Sequence, residues 1–199
     1  QTMADSESLI RFVSQKSVIE YQGKRLNLKK PFERISVVEA FQRYAKIDPK
    51  IFFDQEKLKN LAQKRDYPIK KNDSWPTIYN LIYLKEVEPN LGMKKPTFIY
   101  NFPVDFAPLA KPDPHDSRFK QRFELYLFGV ELADAYQELT DPKQQESEFR
   151  KELSARKKQG KISHPADLDF LKALKSGLPQ CSGVALGVDR LIMILTDKT

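Results

Sequence analysis

The sequence predicts an α+β protein, an antiparallel sheet flanked by helices and interrupted by a helical insertion. Three observations predict it. Strand-forming chemistry gathers in the second half: TFIYNFP at 97–103 is rich in β-branched and aromatic residues and stops at proline, and two alternating runs lie either side of Phe128-Gly129. The glycine-punctuated apolar stretch 183–188 passes straight into a short apolar helix. Helical spacing is concentrated elsewhere, in 36–90 and 141–175. Helices and strands segregated in this way mark the α+β class.

Each element has its own signals. Residues 3–20, with Ile10, Phe12, Val13 and Val18 among charges and serines, predict an amphipathic helix. The stretch 21–28 is a short polar connection with hairpin chemistry at Gln22-Gly23, and 31–35 leads into a further helix. Ser36 caps that helix, Glu39 completes a capping box, and Val37, Val38, Phe41 and Tyr44 form its apolar face. Asp48-Pro49 ends it. Two more helices follow, at about 55–64 and 75–84, the second capped by Asp73 or Ser74 and tolerant of Pro76 at its start. Trp75, Ile78, Tyr79, Ile82 and Tyr83 recur at helical spacing, a core stripe that gives the insertion, 36–90, a small core of its own.

EPNLG at 88–92 is turn chemistry, and 111–117 is a polar loop with two prolines. Asp141-Pro142 starts a highly charged helix to about residue 158, and Ala166 or Asp167 starts another, ended by GLP at 177–179. In the last stretch Val184, Ala185, Leu186 and Val188 fit a strand covered on both faces, Asp189 is a candidate cap, and residues 191–195 supply the apolar side of a helix. Gly183 and Gly187 weaken a strand, so the backbone bends there or something approaches it closely. Arg190 falls in the first helical turn, where the helix dipole disfavours a cation unless an anion neutralises it. That combination suggests phosphate.

A two-residue turn at Phe128-Gly129 pairs Leu127 with Val130, Tyr126 with Glu131 and Glu124 with Ala133. Glu124, Tyr126, Glu131 and Ala133 then share one face, and Phe123, Leu125, Leu127, Val130 and Leu132 the other. Glu124 and Glu131 stand on diagonal positions, about 7–8 Å apart at the backbone, close enough to share a divalent cation. The plainer alternative is a solvated face of an edge hairpin. Glu138 lies just beyond and adds a third carboxylate. Strict alternation would send Asp134 into the core, where an unpaired acid is costly, so a bulge is expected near Ala133. Acidic face and Arg-bearing helix together suggest a Mg-nucleotide site. No Gly-rich loop ending in Lys-Ser or Lys-Thr occurs, which excludes a P-loop.

With 199 residues, 40% of them hydrophobic, the chain can bury one substantial core, and one domain with an insertion is expected. Its net charge of +7 (34 − 27) attracts an acidic partner such as a nucleotide, RNA or acidic protein, or reflects a basic solvated surface. One cysteine excludes an internal disulfide, and two histidines, His115 and His164, are too few for a His-based metal site. Cys181 reads as a buried small residue in a reducing compartment. No apolar run approaches the roughly 20 residues needed to span a bilayer and no signal-peptide pattern occurs, so a soluble cytoplasmic protein without membrane association is expected.

At this point several stretches resemble a known family, the class II aminoacyl-tRNA synthetases of lysine type. They are KPTFIY (95–100) with FP (102–103), PLA (108–110), RFELYLFGVELADAYQELTDP (122–142) and GVALGVDRLIMIL (183–195), the last similar to the family's third signature motif. EAFQRYAKIDP (39–49), VEPNLG (87–92) and GLPQCSGVALGVDR (177–190) resemble the paralogous branch that lysylates elongation factor P. The resemblance implies the second half of a class II active-site sheet over 95–199. It implies that Glu124 and Glu131 hold Mg²⁺ on the ATP phosphates, that Arg190 contacts the γ-phosphate, and that Gly187 lies against the nucleotide. Glu138 would receive the ε-ammonium of lysine or β-lysine, with Gly183, Ala185 and Asp134 lining the substrate. The implied catalytic residues are therefore Arg190 and Glu131.

The implied chemistry is attack of the amino-acid carboxylate on the α-phosphorus of ATP, then transfer of the acyl group to a lysine of elongation factor P, or to tRNA-Lys in a true synthetase. Positioning and charge neutralisation do most of such work, which suits paired acids and an arginine without a nucleophile. Ala185 stands where lysyl-tRNA synthetases usually have glycine, a change that goes with preference for β-lysine in the paralogue. Asp134 stands where the family usually has asparagine. The first two family motifs, including the dimerisation motif of a homodimeric parent, and the anticodon-binding domain have no counterpart in the sequence. The resemblance therefore implies the C-terminal half of a catalytic domain, inactive alone. A non-catalytic synthetase-like binding module is the alternative from another class.

Overall fold

In a computed structural model, which describes residues 1–162 and 164–198, helices and strands follow the segregated order expected of the α+β class. Helix α1 (Thr2–Ser14) precedes a hairpin of β1 (Val18–Tyr21) and β2 (Lys24–Asn27). Then come β3 (Glu33–Ser36), α2 (Val37–Ala45), α3 (Gln55–Lys64) and α4 (Trp75–Ile82). The second half holds β4 (Thr97–Pro103), β5 (Phe119–Leu127), β6 (Val130–Gln137), α5 (Pro142–Lys158), α6 (Leu168–Lys175), β7 (Ser182–Leu186) and α7 (Val188–Thr196).

The five-stranded sheet runs β3-β4-β5-β6-β7. All its pairs are antiparallel except β3 with β4. One face packs on α1, the β1–β2 hairpin and α7 through Ile10, Leu26, Phe98, Leu125, Leu191 and Ile194. The other face carries Ile99, Phe102 and Tyr126, which join Phe41, Phe52, Trp75, Tyr79 and Tyr83 of the helical segment in one apolar cluster. The insertion supplies most of this cluster, which the sheet helps to close. Its aromatic stripe is buried as expected, chiefly against Phe41, Phe52 and Phe53 of the same segment.

Local chemistry explains most boundaries. Ser36 and Glu39 form the expected capping box of α2. Asp54, Asp141 and Asp167 accept backbone N–H bonds at the starts of α3, α5 and α6. Ser74 occupies the cap position of α4 without a capping bond, and Asp73 instead accepts from the Lys70 N–H. The first helix ends at Ser14, short of residue 20, because Gln15 turns left-handed (φ 49°) and Val18–Tyr21 pairs as a strand. Residues 33–36, expected to lead into a helix, are a strand with one residue, Ile35, buried in the core. Four residues are too few to show a period.

The run 182–186 is a strand but is not covered on both faces: it forms the edge of the sheet, and Val184 is 45% exposed. Asp189 does not cap α7, whose cap position is Gly187. Cys181 is half-buried, not buried. Among the described residues no helix is long and apolar enough to cross a membrane.

Candidate active site

The hairpin of β5 and β6 turns at Phe128 (φ 55°) and Gly129 (φ 79°), and pairs Leu127 with Val130 and Tyr126 with Glu131 as the sequence implies. Beyond that the register shifts. Leu132 is an extra residue, so Leu125 faces Ala133 and Glu124 faces Asp134, not Ala133. The bulge lets Leu132 and Ala133 both point into the α7-side core and returns Asp134 to the face of Glu124. Ala133 therefore leaves the acidic face to which alternation assigned it. The physical reason is the one that suggested a bulge: a carboxylate among Phe98, Leu125 and Ile194 would have no partner.

Two acids directly across a strand pair repel, and Arg122 lies between them. Its Nε donates to Asp134 Oδ1 at 2.8 Å and its Nη2 to Asp134 Oδ2 at 3.0 Å and Glu124 Oε1 at 2.6 Å. Nη1 donates to the Phe106 carbonyl at 2.8 Å, and the guanidinium covers the Phe102 ring at 4.5 Å. Burial works against the charge of Arg122, but Asp134 and Glu124 more than offset it and raise its pKa.

Glu124 is not on a solvated face. Only 6% of the residue is exposed, and Oε2 accepts from the Tyr126 hydroxyl at 2.8 Å and the Tyr83 hydroxyl at 3.2 Å. Burial pushes its carboxyl up to about 7, despite Arg122. Tyr83 begins a π-helical turn, Tyr83–Val87, that continues α4. Glu88, just beyond, sits 3.4 Å from the Tyr126 hydroxyl, and burial raises its pKa. Arg122, Tyr83 and Glu88 escaped the sequence reading. For Arg122 a signal existed: alternation through Arg122, Glu124 and Tyr126 puts all three on one face.

The second cluster joins β6 to α7. The Gly187 N–H donates to the Leu132 carbonyl at 2.9 Å. Arg190 reaches back, its Nη1 donating to the Glu131 carbonyl at 2.7 Å and lying 3.7 Å from Glu131 Oε2. A Cβ at Gly187 would lie 3.3 Å from Arg190 Cδ, so the missing side chain leaves room for the Arg190 stem. Both charged side chains stay accessible, Arg190 at 53% and Glu131 at 35%. The tension of a cation in the first turn of α7 is thus met in part by Glu131, and the rest of the guanidinium is open.

Along β7, Ala185 faces Asp134 and Gly183 faces Tyr136. Glu138 Oε1 lies 3.1 Å from where a Cβ at Gly183 would be, so the glycine makes room for that carboxylate. The structure therefore brings together Glu131, Arg190 and Gly187; Glu124 and Asp134, through Arg122; and Glu138 with Gly183.

A divalent cation bound by one or two carboxylates and by phosphate oxygens suits Glu131, which is accessible and beside Arg190. It does not suit Glu124, whose two oxygens are engaged by three donors inside the fold. Among the described residues no group of three or more His, Cys, Asp or Glu side chains is placed to hold a metal.

Comparison with known proteins shows the family. Residues 1–199 match the family described as tRNA synthetases class II (D, K and N). A curated protein of Proteus mirabilis (strain HI4320), elongation factor P--(R)-beta-lysine ligase, is 46% identical over 164 residues, covering 81% of this chain and 50% of that protein. The chain spans about half the length of this curated relative. The match over residues 1–199 shows that this chain belongs to the class II tRNA synthetases of the D, K and N group.

Proposed function

We propose that the whole protein is an ATP-dependent ligase that activates lysine or (R)-β-lysine as an aminoacyl-adenylate and passes it to a lysine of elongation factor P. The observation that carries this reading is the open guanidinium of Arg190 at the start of α7, anchored by Glu131 on a face that also holds Asp134 and Glu138. A cation aimed outward beside a helix N-terminus suits a terminal phosphate. Acids clustered on the same face suit a substrate with a side-chain ammonium, here assigned to Glu138 in the space left by Gly183. The relative's printed name supplies the amino acid and the acceptor.

In the first step a carboxylate oxygen of the amino acid attacks the α-phosphorus of ATP, and the bond to the β-phosphate breaks, releasing pyrophosphate. In the second the acceptor amine attacks the acyl carbon, AMP leaves, and the amine proton goes to solvent. Arg190 binds and neutralises the outgoing phosphate charge, Gly187 gives the nucleotide close access to the backbone, and Glu138 orients the amino acid. A bound Mg²⁺ supplies further neutralisation of phosphate charge, with Glu131 as its protein ligand. Ala185, opposite Asp134, narrows the pocket floor toward the β-amino acid.

The test is ATP–pyrophosphate exchange by the whole protein with lysine and with (R)-β-lysine, followed by transfer to elongation factor P and to tRNA-Lys side by side. Exchange with (R)-β-lysine and transfer to the protein acceptor are expected. Transfer to tRNA alone would make it a tRNA synthetase, and no exchange with either amino acid would leave the binding-module reading. The 199-residue chain assayed alone is expected to give no exchange.

A further inference from the structure

The Glu124 cluster has features that a metal site would not have. Its carboxylate lies 6% exposed at the junction of the sheet and the helical segment. Three donors converge on it, from Arg122, Tyr126 and Tyr83, at 2.6, 2.8 and 3.2 Å. Two of them belong to β5, and the third arrives from the helical segment, where the π-helical turn begins. Arg122 spends its remaining contacts on Asp134 and the Phe106 carbonyl.

We infer that Tyr83 is a positioning residue: with Tyr126 it holds Glu124 as the fixed counter-ion of Arg122, which in turn sets Asp134 on the substrate face, and Glu124 is not a metal ligand. The helical segment is then part of the catalytic face, because one of its hydroxyl groups completes a chain that ends at Asp134, opposite Ala185 on β7. The chain also answers how an aspartate can stand on that face at all. Asp134 is paired bidentately by a guanidinium that cannot be deprotonated, so it presents no free charge to a substrate carboxylate.

The same helix provides a matched control. Tyr79 stacks on Tyr83, ring centroids 5.6 Å apart and planes 9° from parallel, and is as deeply buried. Its hydroxyl has no hydrogen-bond partner among the described residues. Removing either hydroxyl changes the core by the same atom, but only Tyr83→Phe breaks the chain to Arg122.

The kinetic arm rests on the adenylate reading; the spectroscopic arm does not. In the whole protein labelled with ¹⁵N-arginine, the Arg122 Nε–H signal is expected to be slowly exchanging in the wild type and in Tyr79→Phe. In Tyr83→Phe it should exchange measurably faster. In ATP–pyrophosphate exchange, Tyr83→Phe should raise KM for the amino acid about tenfold, the size expected for a lost hydrogen bond to a charged group, with KM for ATP unchanged. Glu124→Gln should leave the Mg²⁺ concentration for half-maximal exchange where it was, while Glu131→Gln should raise it.

Equal behaviour of Tyr83→Phe and Tyr79→Phe in the arginine signal overturns the positioning role, whether or not the protein catalyses exchange. A rise in the Mg²⁺ requirement of Glu124→Gln matching that of Glu131→Gln overturns the exclusion of Glu124 from the metal. If the wild type shows no exchange while the arginine signals separate as expected, the ligase reading fails and the positioning role stands.

Discussion

Two regions of this molecule pair an arginine with a glutamate on β6 or its neighbour, and they have opposite characters. Around Arg122 every charged atom is answered inside the fold: Glu124, Asp134, Tyr83, Tyr126 and the Phe106 carbonyl close the network. Around Arg190 the guanidinium leans on Glu131 through one short bond and a 3.7 Å approach, and half its surface meets solvent. The difference teaches that residue type does not separate a structural ion cluster from a ligand site. A saturated cluster has donors and acceptors matched within the chain and pays desolvation once, in folding. An unsaturated one keeps capacity for a ligand.

Substitutions can break or sharpen that contrast. The largest effect is expected from Arg122→Leu, which leaves Glu124 and Asp134 facing each other without a cation. It should lower unfolding free energy by about 4 kcal/mol, read from urea transitions. A loss as small as that of an exposed arginine would show that the network is not closed.

Next comes a pH effect. The Glu124 carboxyl is raised from an ordinary 4.5 to about 7, so the folded chain holds this proton through a range where the unfolded chain has released it. Below about 7 the fold favours the neutral form, and above it the carboxylate stands as the counter-ion of Arg122, so this contribution is present below pH 4.5 and is lost as pH rises toward 7. The loss is on the order of 3 kcal/mol, and Glu124→Gln should abolish it because glutamine does not titrate there. Urea midpoints of both proteins at several pH values across this window check the sign: a wild-type curve parallel to that of the variant would show an ionised Glu124.

Arg190→Ala tests the open region. It should reduce ATP–pyrophosphate exchange by the whole protein about a hundredfold, as expected for losing one charge-stabilising group, while thermal unfolding barely moves. A destabilised protein with normal exchange would reverse the assignments of the two arginines. The smallest effect is expected from Gly183→Ala. The new methyl meets only the flexible end of Glu138, at 3.1 Å, so stability should hold, with KM for the amino acid rising about threefold as that carboxylate is displaced. An unchanged KM would remove Glu138 from amino-acid recognition.

Much of this was legible in the residues. The capping box at Ser36 and Glu39, the strand at Thr97–Pro103, the turn at Phe128-Gly129 and the helix starts at Gln55 and Pro142 follow from chemistry within a few positions in the chain. That Gly187 and Arg190 belong together followed from glycine spacing, helix polarity and the family resemblance, whereas the grip of Glu131 on Arg190, apart from Glu124, did not. The short strand Glu33–Ser36 did not show, because its parallel partner lies more than sixty residues away in sequence. Nor did the role of Tyr83, whose ring obeys the helical stripe of a core residue while its hydroxyl reaches Glu124, forty-one residues on.

By itself the sequence determined most of the element types, the turn that sets the hairpin, the acid-rich face and the cation at the start of the last helix. These depend on local backbone preference and on periodicity, which each residue carries with it. Tertiary structure alone decided which acids are buried and which are open. It moved the pairing by one residue at Leu132, placed Asp134 beside Arg122, and brought Tyr83 over Glu124. Burial and pairing are properties of contacts between distant segments, and for a carboxylate those contacts set whether it is an anchor or a ligand.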